Sequence, residues 1–349
     1  MTFRFLKYLA VLIIPGLTAS SFFVSGWLTY STVIFSYLLV PALEFLFSKD
    51  ESNLSDEEEA LIAKSAFYDY VLYLMVPVQW GLIFIFLYKV SNQSIPALDL
   101  IGMTLSLGVC CGVLGINVAH ELGHRKSKFD QFLAKTLLLT SSYMHFFIEH
   151  NRGHHKHVGT PGDPSTAKQG ESVHLFWLRS IMYSYISAWQ IANAQTRKTD
   201  LAFSIRNEMI QFTFVQVLFM VLVFAAFGPV ALIGYLVASL IGIIQLETVN
   251  YIEHYGLTRN QTGENRYERV QPWHSWNSNH LLGRLMLFEL SRHSDHHYLA
   301  SRKYQILRHH HDSPQMPTGY PGMMLLSLFP PLWFRVMNPK IQEIKLSTL

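Results

Sequence analysis

Charge is scarce in this chain. Only 15% of its 349 residues are Asp, Glu, Lys or Arg, against 50% that are hydrophobic. A soluble domain of this length covers its surface with more charge, so the scarcity excludes an ordinary soluble enzyme and points to a membrane protein. Cysteine is scarcer still: Cys110 and Cys111 are the only two, adjacent within an apolar stretch. That excludes a disulfide framework and a cysteine-rich metal site. The basic residues form no run and the net charge is only +3, so nothing marks a nucleic-acid partner. Histidine is missing from the first third of the chain, since all 17 histidines follow residue 119.

What is present is apolar and long. A bilayer core about 30 Å thick takes roughly 20 apolar helical residues. Six segments approach that length with few charges, at about 8–24, 27–47, 70–88, 98–119, 210–227 and 230–250. The first pair is joined by little more than Ser25-Gly26 and the last by Gly228-Pro229, so each reads as a tight helical hairpin. The first segment has no small-residue cleavage pattern close behind it and is expected to be an anchor, not a removed signal peptide. With six crossings, 26 of the 27 Lys and Arg residues, all but Lys89, fall on the side of the termini. Basic loops stay in the cytoplasm, so that side is expected to be cytoplasmic and the membrane the inner one.

The expected fold is therefore all-α: a polytopic membrane protein with six transmembrane helices and a cytoplasmic histidine-rich helical cap. Residues 1–349 form one membrane-embedded catalytic domain, with the histidines in the cytoplasmic regions 120–209 and 251–349. The stretch 131–148 mimics a span, but it carries Lys135 and lies between histidine motifs that a crossing would separate. The stretch 173–194 mixes aromatics with His174 and Arg179 and is expected to lie at the interface as an amphipathic helix.

Three motifs gather the imidazoles. HELGH places His120 and His124 at i, i+4, one face of a helix and a metal-binding spacing. EHNRGHH repeats it with His150 and His154, and His155 is adjacent, within reach of the same metal or a neighbouring one. LSRHSDHH adds His293, His296 and His297 at i, i+3, i+4, and NYIEHYG adds His254 as the last apolar segment ends. These nine exceed one tetrahedral zinc and suit two metals with four or five ligands each. Imidazole does not choose among zinc, copper, iron and nickel. A site at the membrane face favours redox chemistry on a lipophilic substrate, and iron is the usual metal for activating oxygen. Two other readings stay open at this point. HELGH with Glu121 as base fits a zinc intramembrane protease. A metal transporter would place ionisable ligands within the spans, and the first four contain almost none.

Metal-bound histidines donate their other ring nitrogen to a carboxylate or carbonyl partner. Glu121, Glu149, Asp163, Glu253 and Asp295 are candidates for that role, and Glu247 and Asn250, near the end of the last span, are candidates for it or for an access channel. His145, His157, His174, His274, His280 and the run His309-His310-His311 lack such spacing and read as structural or solvated. No side chain is assigned a catalytic role beyond the metal site.

HELGH (120–124), EHNRGHHKHVGTPGDP (149–164), NYIEHYGL (250–257), HSWNSNH (274–280), LSRHSDHH (290–297) and YQILRHHHDSPQMPTGYPGM (304–323) together resemble the AlkB-type integral-membrane non-haem di-iron alkane 1-monooxygenases, within the membrane desaturase and hydroxylase superfamily. The resemblance implies that the nine histidines hold two irons, that O2 is the co-substrate, and that the terminal methyl of a medium- or long-chain alkane becomes a primary alcohol. It also implies electrons from rubredoxin, a separate chain reduced by an NAD(P)H-dependent reductase, since this chain lacks the four cysteines such a centre needs. A related hydroxylase of aromatic methyl groups, xylene monooxygenase-like, is the alternative substrate class. Glu289, where relatives commonly have histidine, and the triple histidine at 309–311 depart from the pattern.

Overall fold

The computed structural model describes residues 4–47, 49–264 and 266–347. Helix dominates, and among the described residues the strands are one short antiparallel hairpin, Gln261–Gly263 with Arg266–Tyr267. Among the described residues, four helices are long and apolar enough to cross a membrane: Gly26–Glu44, Phe67–Asn92, Ala97–Gly123 and Glu208–His254. The segment expected at 8–24 instead begins as a 3-10 helix, Arg4–Leu12, and continues as a short α-helix, Ile13–Ser21. Glu208–His254 is 47 residues long and is broken at Gly228, whose φ of 81° and ψ of 177° are not helical. That conformation is essentially restricted to glycine, and Pro229 follows with its fixed φ at the start of the next helical run.

The chain forms two compact units. The first comprises the N-terminal stretch to Leu38, Ala66–Asn151 and Tyr185–Leu246. Phe67–Asn92 buries Tyr68, Val71, Leu72, Met75, Gln79, Leu82, Ile83 and Phe86, a three-and-four spacing that makes one helix face the core. Ala97–Gly123 is the most enclosed of the long helices. It packs closely on the 229–246 run through small residues: a Cβ on Gly108 would lie 2.6 Å from Ile241 Cγ2, and one on Gly242 would lie 2.7 Å from Cys111 Cβ. Helices in lipid gain no hydrophobic energy from meeting each other, so such close backbone approach is what holds them. The outward faces carry exposed Phe214, Leu218, Leu222 and Ile233, as lipid-facing helices do.

The second unit comprises Leu39–Ser65, Arg152–Ser184 and the chain from Glu247 onward. Its short helices are tied by polar contacts. Ser55 and Glu58 cap Asp56–Ala63 reciprocally. Arg292 donates to the carbonyls of Leu307 at 2.7 Å and Ser52 at 2.8 Å, which fixes the entry to the His293–Tyr298 helix. Phe288 and Glu289, with φ of 52° and 59°, turn the chain sharply just before it.

Candidate metal centre

Two of the histidine motifs sit beside or within a locally rewound helix. Cys111–Asn117 is a π-helical stretch directly ahead of the Val118–Gly123 turn that carries His120, and His124 caps that turn. His150–His154 is a second π-helical stretch. Such bulges change which way successive side chains point, and here that decides the grouping.

Within the first unit, His120, His124 and His150 converge. Nε2 of His124 and of His150 are 3.0 Å apart, and the His120 ring lies 4.5 Å from that of His150. Phe146 stacks on His150 at 4.7 Å and fixes its ring plane. Within the second unit, His154, His254, His293 and His297 present one ring nitrogen each, all within 4.8 Å of one another, and all four side chains are buried. The Nε2 atoms are 3.2 Å apart for His154 and His297 and 3.1 Å for His254 and His293. His155 and His296 form a further pair, Nε2 to Nε2, at 3.1 Å.

Two expectations about shared helix faces are thereby corrected. His150 and His154 do not stay together: the π-helical stretch sends His150 to the HELGH pair and His154 to the quartet. His296 parts from His293 and His297, because i+3 and i+4 on a six-residue helix are enough to divide between two directions.

Two of the ring nitrogens turned away from these points face carboxylates. His154 Nδ1 lies 2.9 Å from Asp163 Oδ2, and His293 Nδ1 lies 3.2 Å from Glu253 Oε1. The Nδ1–H bond of His154 to Asp163 leaves its Nε2 as a bare lone pair. Burial together with the neighbouring rings of His155, His293, His154 and His254 pushes His297 well below the ordinary histidine range, so it stays neutral. Several inward lone pairs at such spacing repel one another unless a cation sits between them. A first-row metal with bonds of about 2.1 Å holds adjacent ligands at right angles about 3.0 Å apart, and the observed separations of 3.0 to 3.2 Å match that. The residues therefore fit a bound metal, and the donors are imidazole throughout.

The sequence profile of the fatty acid desaturase family matches residues 97–327, a range that includes all nine histidines. The alkane 1-monooxygenase 1 of Alcanivorax borkumensis is 41% identical over 91% of this chain and 80% of its own length. The alkane 1-monooxygenase of Ectopseudomonas oleovorans is 40% identical over the same shares. The hydroxylase component of the xylene/toluene monooxygenase of Pseudomonas putida is 27% identical over 97% of this chain and 89% of its own length. The chain belongs to the fatty acid desaturase family, on its alkane 1-monooxygenase branch.

The other carboxylates divide by what they touch. Glu121 accepts from Arg125 at 3.1 Å, and Arg125 also pairs with Asp69; a carboxylate so engaged is poorly placed as a protease base. Glu149 is buried at the end of the Phe146–Glu149 turn. Glu247 accepts the Ser180 hydroxyl at 2.5 Å and the Asn250 amide at 3.4 Å, which ties the two polar residues to the Val173–Thr196 helix. Asp295 works differently from the expectation. Its carboxylate takes Arg302 at 2.8 Å, His310 Nε2 at 2.7 Å and the Arg308 N–H at 2.9 Å, so it anchors the ligand-bearing helix to the following loop. Those bonds outweigh burial and hold its carboxyl below the ordinary range. Glu289 pairs with Arg284 at 2.5 Å.

Among the histidines read as structural or solvated, His274 pairs with Glu268 at 3.3 Å, His280 with Ser278 at 2.9 Å and His309 with Asn279 at 3.0 Å. His145 is buried between Tyr143 and Tyr185, and burial pushes it down to about 3. Sequence reasoning missed Tyr320, whose hydroxyl donates to Glu253 at 2.8 Å and extends the chain from His293. The tail motif containing it was in view, but no spacing rule joins it to His293.

Proposed function

We propose that this chain hydroxylates the terminal carbon of medium- or long-chain n-alkanes, using O2 and two electrons, at two irons held by His120, His124, His150, His154, His155, His254, His293, His296 and His297. The buried all-imidazole quartet of His154, His254, His293 and His297 carries the reading, joined to about 40% identity with alkane 1-monooxygenases over 91% of the chain. The quartet is assigned to one of the two irons. When bound, the irons supply reductive activation of O2 and insertion of one oxygen atom into a C–H bond, the other leaving as water with two protons.

The chain's own residues supply the rest. Asp163 and Glu253, the latter with Tyr320 behind it, keep His154 and His293 in the tautomer that offers Nε2. Burial of the quartet excludes water that would quench an oxidant. The alkane arrives from the bilayer; transfer between two apolar surroundings gains little energy, so chain length is selected by shape. Electrons come from rubredoxin with an NAD(P)H-dependent reductase, because the chain's cysteines are a single buried adjacent pair. The break at Gly228 supports counting the 47-residue helix as two spans. With the N-terminal segment this gives six, with termini and metal site on the cytoplasmic side of the inner membrane. Gly26–Glu44, Val173–Thr196 and Glu208–His254 each contribute residues to both units, which favours one catalytic domain.

The test is metal analysis of the purified protein, followed by turnover of octane and of a xylene with rubredoxin, its reductase and NADH. Two irons per chain and 1-octanol as the main product are expected. A preference for xylene would move the substrate to aromatic methyl groups, and no alcohol from fully iron-loaded protein would sink the proposal.

A further inference from the structure

The loop that leads into the longest apolar helix presents an unusual surface. Leu201, Phe203 and Ile205 are 80%, 83% and 80% exposed, in an i, i+2, i+4 row. The loop is not slack. Asn207 is fully buried beneath it, donating to Asn193 Oδ1 and to the Ala202 carbonyl at 2.7 Å each and accepting the Met209 N–H at 2.9 Å. Gln211 reaches back to the Ile205 carbonyl at 2.8 Å, and Asp200 accepts the Leu201 N–H at 2.8 Å and the Ser204 hydroxyl at 2.7 Å. With the backbone tied down, the three apolar side chains are held outward by construction. Glu208 opens a membrane-crossing helix, so the preceding residues stand at the bilayer boundary.

The same stretch is basic. Arg197, Lys198 and Arg206 are exposed along it. Beside them lies a cavity of about 190 Å³ lined by Ala192, Gln195, Thr196, Thr199, Arg206 and Glu208. The carboxylate in its lining, Glu208, pairs with Lys135 at 3.3 Å, and nearby Asp200 pairs with Arg206 at 3.9 Å. Exposed Arg197 and Lys198 add two positive charges beyond these pairs. The cavity falls below the roughly 300 Å³ of the smallest drug-sized pockets, which suits a phosphate group more than a larger ligand.

We propose that residues 192–208 form a binding site for the headgroup of an anionic phospholipid, with Leu201, Phe203 and Ile205 set into the acyl layer beside it. Guanidinium groups match phosphate geometry, and cations at a membrane boundary are drawn to anionic lipid. Each such cation contributes roughly fivefold in affinity, so the cluster yields a preference of at least about tenfold for anionic over zwitterionic lipid.

The experiment places an environment-sensitive fluorophore on Phe203→Cys, with labelled wild type as the blank for buried Cys110 and Cys111. The protein is reconstituted in vesicles carrying brominated phosphatidylglycerol or, at equal fraction, brominated phosphatidylcholine. Quenching is expected from both lipids but markedly greater from phosphatidylglycerol, and R197Q/K198Q/R206Q is expected to bring the two within about twofold of each other. An unchanged thermal midpoint certifies that the triple variant is folded. Equal quenching in the parent would overturn the headgroup site. No quenching by either lipid would overturn the whole proposal and leave the loop facing water or a protein.

Discussion

Replacing Asp163 by Asn tests whether the quartet is a metal site held in shape by its surroundings. Asp163 Oδ2 takes His154 Nδ1–H at 2.9 Å and the Thr166 hydroxyl at 2.5 Å, while Oδ1 takes the Ser165 N–H at 3.1 Å. Both of its oxygens are engaged and the side chain is buried. Burial alone would raise the Asp163 carboxyl, and the His154 partner overrides it and holds the carboxyl below its ordinary value. An amide has one oxygen, so its NH2 must face either the Ser165 N–H or the His154 and Thr166 donors. Either way a donor meets a donor, and the charge that keeps His154 in its Nδ1–H form is gone. Loss of such a carboxylate behind a metal-bound histidine typically costs about 10- to 100-fold in metal affinity, or about 1.4 to 2.7 kcal/mol. Titrating iron-loaded wild-type and Asp163→Asn protein with a ferrous chelator and following iron release reads this directly, with a thermal melt to confirm folding. If the variant holds iron with wild-type affinity, His154 is not oriented by Asp163 and the quartet is not a metal site of the kind described.

Tyr320→Phe removes the hydroxyl that holds Glu253 against His293; a net stability loss of about 1 kcal/mol and faster iron release to chelator are expected, and an unchanged release rate would show the tyrosine to be packing alone. Gly228→Ala forces a Cβ into a conformation nearly forbidden to it, at a cost of about 1 to 3 kcal/mol; unfolding in denaturing detergent measures this, and full tolerance would argue against the sharp break in the 47-residue helix. Glu171 accepts Arg179 at 2.7 Å, and these bonds outweigh burial to hold its carboxyl below the ordinary value. A depressed folded value stabilises above the unfolded one, about 4.3, and the contribution disappears as pH falls through the lower folded value. Glu171→Gln should therefore lower the thermal midpoint near neutrality and narrow the gap to wild type between pH 5 and pH 3, and parallel profiles would refute it.

Much of this molecule is legible from sequence because its two strongest constraints are local. A bilayer demands long apolar helices, so Phe67–Asn92, Ala97–Gly123 and the two halves of Glu208–His254 announce themselves by composition. Metal ligation demands imidazole at helical spacing, so HELGH, EHNRGHH and LSRHSDHH are visible as a set. What spacing does not carry is direction. An α-helical wheel keeps His150 and His154 on one face, yet the chain between them winds as a π-helix and sends them to different groups. Nothing in HNRGH marks that change, because a π-helical stretch is stabilised by what surrounds it more than by its own residues. The partners behind the ligands fail for a related reason. Asp163 lies nine residues from His154 and sits where proximity suggests, whereas Asp295, between His293 and His297 in sequence, points away to Arg302, Arg308 and His310. Tyr320 is 67 residues from Glu253 yet bonds to it. On a short helix whose histidines are committed inward, the residue between them must face outward. Such a carboxylate therefore serves to fix the helix in place, and the groups that orient its histidines have to come from elsewhere in the chain.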